Sequence, residues 1–205
     1  MELFDTHCHL DVEEFDADRT RVLADARAAG VRYLVIPAIA RAAWQSLWDL
    51  CAGDPLLYPA LGLHPVLLEQ HDDADIDALD QFIGTHRPVA IGEIGLDHFV
   101  RDLDHTRQQA ILEGQLAIAE RLHLPVILHV RKAHDLMLQT LRRYRLARGI
   151  CHAFNGSLQQ AGHYLDMGFR LGFGGMLTYP HANKLHALAR NLPLEALVLE
   201  SDAPD

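Results

Sequence analysis

Cysteine is scarce in this chain and supplies no framework. Cys8, Cys51 and Cys151 are odd in number, widely spaced, and form no C-x-x-C pair. Disulfide scaffolds, thiol redox centres and cysteine-based zinc sites are therefore excluded, and three reduced core thiols are expected. Long hydrophobic runs are missing as well. None reaches the roughly 18 residues of a membrane span, and Met1-Glu2-Leu3-Phe4-Asp5-Thr6-His7 has no basic region ahead of an apolar one. The expectation is a cytoplasmic protein with no membrane partner. Positive charge is in short supply: Lys and Arg number 18 against 28 Asp and Glu, for a formal net charge of -10. That excludes a broad nucleic-acid-coating surface, which needs clustered cations. It leaves room for a nucleic acid held at one point, because divalent cations bound by carboxylates can themselves face a phosphate. Low-complexity tracts, charge blocks and linkers are also absent, so 205 residues are expected to form one domain spanning residues 1–205.

Histidine, by contrast, is plentiful, with 14 in the chain. His7-Cys8-His9 stands at the end of a short apolar run. In an extended chain, residues i and i+2 point to the same side, so the two imidazoles can converge while Cys8 faces away. One such pair is weak evidence, because about one His-x-His arises by chance at this composition.

Apolar runs too short for helices alternate eight times with stretches of helical period. Strands are expected at Leu3 to His7, Tyr33 to Ile36, Tyr58 to Gly62, Val89 to Ile94, Val126 to Val130, Ile150 to Ala153, Phe169 to Phe173 and Leu197 to Glu200. Between them, Asp16 to Ala29 has apolar Val22, Leu23 and Ala26 and stops at Gly30. Arg41 to Ala52 precedes Gly53 and Pro55, and Thr106 to Leu122 aligns Ile111, Leu112, Leu116 and Ala119 on one face before Pro125. Repeated strand-helix units with continuous apolar strands describe an α/β fold, a (β/α)8 TIM barrel, better than an open sheet. The eighth strand is followed only by Ser201-Asp202-Ala203-Pro204-Asp205. The final helix of such a barrel is therefore expected to be missing, leaving apolar surface open on the first and last strands.

Active sites of these barrels lie at the carboxyl ends of the strands. There the sequence places His7 and His9 after strand one, Glu93 on strand four, His129 on strand five, His152 on strand six and Asp202 after strand eight. A single histidine at a strand end is ordinarily a hydrogen-bonded rim residue, and a single carboxylate ordinarily a cap or an ion-pair partner. Six such residues on five strands, all at one rim, are not independent accidents, and imidazole with carboxylate is what divalent hydrolytic metals take. Elsewhere, Gly172-Phe173-Gly174-Gly175 fits neither a dinucleotide fingerprint nor a P-loop and is expected to mark close backbone packing. Ser157 is a candidate helix cap, and His181 and His186 are expected to be exposed.

The segments His7-Cys8-His9, Gly62-Leu63-His64-Pro65, Gly92-Glu93-Ile94-Gly95-Leu96-Asp97, Leu124-Pro125-Val126-Ile127-Leu128-His129-Val130-Arg131, His152-Ala153-Phe154-Asn155-Gly156-Ser157 and Glu200-Ser201-Asp202-Ala203-Pro204 together resemble the TatD-type metal-dependent hydrolases and deoxyribonucleases. The resemblance covers the whole chain in order, and departs at the end, where that family continues into a further loop and helix. It implies two divalent ions, magnesium, manganese or zinc, with His7, His9, Glu93 and Asp202 around one, Glu93, His129 and His152 around the other, and Glu93 bridging. The implied activity is hydrolysis of DNA phosphodiester bonds, as an exonuclease acting on ends or single strands. The alternative is hydrolysis of a small ester, lactone or amide at the same site. Glu93 and Asp202 are the catalytic candidates, Asp202 as acceptor of a water proton. Arg131, Lys132, Arg101 and His64 are the candidate substrate-binding residues; for the three cations solvated charge or pairing with Asp97 or Asp135 is the plain alternative, and for His64 an ordinary loop histidine. No obligatory protein partner is expected.

Overall fold

The computed structural model describes residues 2–204. Eight strands lie side by side in chain order: β1 (Leu3–Asp5), β2 (Val31–Pro37), β3 (Leu57–Leu61), β4 (Ala90–Asp97), β5 (Val126–Arg131), β6 (Gly149–Cys151), β7 (Phe169–Phe173) and β8 (Leu197–Leu199). Every neighbouring pair is parallel. Parallel neighbours need long crossovers. These are supplied by α1 (Arg19–Ala28), α2 (Trp44–Ala52), α3 (Asp75–Thr85), α4 (His105–Leu122), α5 (His134–Leu141), α6 (Leu158–Asp166) and α7 (Asn183–Asn191). The edge between β8 and β1 is bridged by irregular backbone. Thr6 N–H donates to Leu199 O (3.0 Å), Asp202 N–H to His7 O (2.9 Å) and His9 N–H to Ala203 O (2.9 Å). The expected barrel is thus nearly closed, and its last bonds are made by the residues that carry the chemistry.

Two apolar layers follow from the strand alternation. Leu34 and Ile36 of β2 join Leu47, Leu79, Ile111, Leu112 and Leu116 of the helices in one large cluster. Val35, Ala60, Ala90 and Ile127 form a second cluster with no helical member, the barrel interior. All eight residues of β4 are buried, which seats Glu93 in the middle of the molecule. On α4, the anticipated face of Ile111, Leu112, Leu116 and Ala119 is buried, and Asp104 caps the helix by accepting from Thr106 N–H and Arg107 N–H.

Several boundaries differ from expectation for local reasons. β1, β6 and β8 stop two, two and one residues before the predicted ends, because the backbone leaves the ladder to close the rim. Helix α1 begins at Arg19 rather than Asp16, and its Val22, Leu23 and Ala26 are only half-buried. Gly30 does follow it with φ 99°, the left-handed conformation glycine accepts readily. Arg41–Ala43 is a separate 3-10 turn before α2. Ser157 caps α6 in a full capping box with Gln160. His186 is not exposed as expected: its Nε2 meets Leu177 O at 2.8 Å. β8 is the last regular element among the described residues, and Leu199 and Phe4 are 56% and 43% exposed.

Candidate metal centre

Glu93 is the hub, 1% exposed, with its two carboxylate oxygens facing different sets of imidazoles. Oε2 lies 3.1 Å from His7 Nε2 and 3.4 Å from His9 Nε2. Oε1 lies 2.9 Å from His129 Nδ1, 3.0 Å from His152 Nε2 and 3.2 Å from His64 Nε2. Asp202 approaches the first set, its Oδ1 3.6 Å from His7 Nε2 and 3.8 Å from His9 Nε2. All six residues expected at the rim therefore meet, contributed by the ends of β1, β4, β5, β6 and β8.

The local backbone explains how. His7 and His9 lie beyond β1, yet the i, i+2 relation brings their Nε2 atoms within 3.1 Å of each other. Asp5 fixes that bend: Oδ1 accepts from His7 N–H and Ser201 N–H, and Oδ2 from the Ser201 hydroxyl at 2.6 Å. Cys8, as expected, turns away into the core cluster. Asp202 and Ala153 adopt left-handed backbone (φ 56° and 42°), sharp turns immediately after their strands. The glycines beside the ligands allow close approach. A Cβ on Gly95 would lie 1.9 Å from His129 O, and one on Gly172 2.1 Å from Glu200 Oε2, which is the close packing anticipated for the Gly172–Gly175 stretch.

The electrostatics suit cations. Burial together with the charge of His152 pushes His7 down to about 3 against the pull of Glu93, so His7 keeps the neutral ring that ligates a metal. Burial also opposes charge on His9 and His129. The hydrogen bond from His9 to Glu93, and those from His129 to Asp97 and Glu93, outweigh it and carry each up to about 9. For Glu93, burial favours the neutral form, but the charges of His152, His64 and His7 and the His129 hydrogen bond hold it well below the usual carboxylate range. Buried Nδ1 atoms of His7, His9 and His152 accept or donate no hydrogen bond among the described residues. Three groups have ligand atoms close enough for one ion: His7, His9 and Asp202; His7, Glu93 and His152; His64, Glu93 and His129. Two Nε2 atoms turned toward one point repel unless a proton or cation lies between them, so the donor set fits divalent metals.

The family model described as TatD related DNase matches residues 4–205. The chain belongs to the TatD-related DNase family. It is 44% identical to an uncharacterized metal-dependent hydrolase, YjjV, of Escherichia coli K12, over 98% of this chain and 79% of that protein. It is 32% identical to a 3'-5' ssDNA/RNA exonuclease TatD of Pantoea sp., with the same coverages. The crystal structure of the Escherichia coli YjjV protein superposes with a TM-score of 0.95 at 43% identity, over 99% of this chain and 80% of the other. Membership in this TatD-related family makes the protein a metal-dependent hydrolase.

Among the residues anticipated for substrate, His64 sits instead on Glu93. Its Nδ1 accepts from Val66 N–H at 3.2 Å, so the neutral ring carries its proton on Nε2 and donates it to Glu93 Oε1. Arg131 pairs with neither Asp97 nor Asp135; its guanidinium lies 4.2 Å from the centroid of the Phe99 ring, which is 55% exposed. Lys132 and Arg101 are exposed and form no ion pair among the described residues. Sequence reasoning missed three supports. Asp97 Oδ2 accepts from His129 Nε2 at 2.8 Å and fixes which nitrogen faces Glu93. Strand period 2 placed Asp97 on the Glu93 side of β4 and was the available signal. Glu200 accepts from Ala153 N–H at 2.6 Å and stands 3.7 Å from His152 Nδ1. Burial pushes the Glu200 carboxyl up to about 7. Asp5 is the third, and nothing in its sequence surroundings announced that role.

Proposed function

We propose that the chain is a divalent-metal-dependent deoxyribonuclease that hydrolyses phosphodiester bonds at strand ends or in single-stranded DNA. The observation that carries this reading is the divided Glu93 carboxylate, with His7 and His9 on Oε2 and His129 and His152 on Oε1. We assign His7, His9, Asp202 and Glu93 to one ion and Glu93, His129 and His152 to a second, with magnesium, manganese or zinc as candidates. When bound, two such ions supply polarisation of a phosphoryl oxygen and a lowered pKa for water. Glu93, fully buried, would hold both ions through its two oxygens, and Asp97 holds His129 in the tautomer whose Nδ1 faces Glu93. Asp202, whose side chain is 30% exposed, would hold the first ion through Oδ1, the oxygen facing His7 and His9, and would accept a water proton at its other oxygen. His64 donates to Glu93 and keeps its carboxylate charged. Arg131, Lys132 and Arg101 hold substrate phosphates, and the open face of Phe99 offers a base a stacking surface. The exonuclease name of the Pantoea relative supports the same substrate class. Three free, buried cysteines support the cytoplasmic placement.

The test is an end-labelled single-stranded DNA oligonucleotide incubated with and without divalent metal, beside a panel of esters, lactones and amides. Metal-dependent shortening of the oligonucleotide is expected. Metal-loaded protein that leaves DNA intact while turning over one of the small substrates would replace the nuclease with the alternative hydrolase on the same ligands.

A further inference from the structure

Beside the centre, on the same rim, the loops after β4, β5 and β6 and the start of α7 enclose a cleft of about 460 Å3. His98, Lys132, His134, Asp135, Asn155 and Lys184 line it. We propose that this cleft is an anion subsite, in which Lys132 and Lys184 hold the substrate phosphate next along the strand from the one at the metal centre. The proposal rests on the nuclease reading and adds a place for the flanking nucleotide.

Four observations converge. The chain carries a net charge of -10, yet two lysines from separate elements line one cleft, and neither forms an ion pair among the described residues. Among the described residues Lys184 Nζ donates to the Asn155 carbonyl, a neutral acceptor that does not compensate its charge. The one carboxylate in the lining, Asp135, is engaged by Gln160 Nε2 at 2.7 Å rather than by a lysine. Two unpaired cations lining one cleft of a fold this acidic give that cleft a local attraction for an anion.

The second observation is α5, whose first residue, His134, faces the cleft. Its N-cap residue Ala133 makes no side-chain cap, so the positive end of the helix opens there with its first amides uncapped by any side chain. Third, His98 lines the cleft with its ring stacked on His105, centroids 3.8 Å apart, so the wall on that side is a fixed aromatic face. His134 is held from behind by Tyr164 and Asn155, so its ring is pre-positioned.

The fourth is position and size. Lys132 follows His129 by three residues and Asn155 follows His152 by three, so the backbone of two lining residues lies within about 10 Å of the backbone of two residues on Glu93 Oε1. That reach suits the neighbouring phosphate rather than the reacting one. The volume lies in the range of about 300–1,000 Å3 typical of ligand pockets, enough for a nucleotide unit rather than a lone ion.

The experiment uses the zinc- or magnesium-loaded protein and short thymidine oligonucleotides in which one linkage at a time is a neutral methylphosphonate. Binding is read by anisotropy and cleavage by end label. Inorganic phosphate alone is followed through the ring-proton NMR signals of His98 and His134. Neutralising the linkage beside the scissile one should weaken wild-type binding roughly tenfold, should weaken Lys184→Ala by less than that, and should change Lys132→Ala/Lys184→Ala by less than about twofold, because both contacts are already gone. Lys184→Ala should flatten the salt dependence of binding by about 0.7 in log-log slope, and Lys184→Arg should restore it. Inorganic phosphate should shift His98 and His134 in the wild type and not in Lys132→Ala/Lys184→Ala. If DNA is cut while Lys184→Ala keeps full methylphosphonate sensitivity and salt slope, the cleft proposal is overturned and the nuclease reading stands. If phosphate shifts His98 but DNA is neither bound nor cut, the anion subsite stands and the nuclease reading falls. If neither ligand has an effect, both fall.

Discussion

At Glu93 one carboxylate faces five imidazole nitrogens between 2.9 and 3.4 Å away, and two consequences can be tested by single substitutions. Glu93→Ala removes the proposed bridge and leaves the imidazoles without their shared counter-charge. Metal content should fall below one ion per chain and turnover should vanish, whereas Cys8→Ser, in the core cluster, should retain both ions with any loss appearing as stability. Metal analysis after gel filtration decides between them, and retention of metal by Glu93→Ala alone would contradict the bridging assignment. Asp97 acts one step further out. Asp97→Asn keeps the shape but presents either a donor or a weaker acceptor to His129 Nε2, so metal affinity should drop roughly 10- to 100-fold, read by competition with a chromogenic chelator. An unchanged affinity would mean that His129 does not need Asp97 to face Glu93.

The elements are joined by polar contacts whose pH dependence can be predicted. Asp75, the first residue of α3, accepts from Arg41 Nη1 at 2.8 Å and from Asp72 N–H at 2.9 Å. Burial alone would raise its pKa, but the Arg41 hydrogen bond and the Asp72 amide bring it below the ordinary 3.8. A depressed folded-state pKa means that stability is present above the ordinary value and is lost as pH falls through the lower one. The urea midpoint of wild type should exceed that of Asp75→Asn at pH 7, and the gap should close progressively below pH 3.8. A gap independent of pH would show that the carboxylate charge contributes nothing between α3 and the turn that precedes α2. Elements also explain which local patterns were readable. The apolar face of α4 and the Ser157 cap of α6 depend on residues within a few positions of each other, so composition and period sufficed. The start of α1 did not follow its pattern, because Val22, Leu23 and Ala26 are only half-buried and tertiary packing does little to hold the predicted first turn.

For the molecule as a whole, metal binding and folding are linked through the rim. Residues from five strand ends meet there, and the bonds that bridge β1 to β8 run through His7, His9 and Asp202. A divalent ion at about a hundred times its Kd should add about 2.7 kcal/mol, or roughly 5–10 °C in Tm for a chain of this size. Chelation should reverse the shift, and Glu93→Ala should not show it. The shift should also grow with pH up to about 9, because His9 and His129 are protonated below that value without metal and must release their protons to ligate. Scanning fluorimetry at several pH values, with chelator and with metal, measures both effects. A metal shift that shrank with rising pH would remove His9 and His129 from the ligand set.

The sequence by itself determined the alternation of strands and helices and the ligand-type residues at the strand ends. Both are local: strand period 2, helix period 3.6, and the identity of the residue where a buried run stops. Family resemblance then named the chemistry. Only the tertiary structure decided which partners these residues take. It gave Asp97 to His129 rather than to Arg131, turned His64 onto Glu93, stacked Arg131 on Phe99, and placed Lys132 and Lys184, 52 positions apart in the chain, on the lining of one cleft. Those contacts depend on the register between strands and on how the barrel closes, and a pattern with a period of two or four residues carries no information about either.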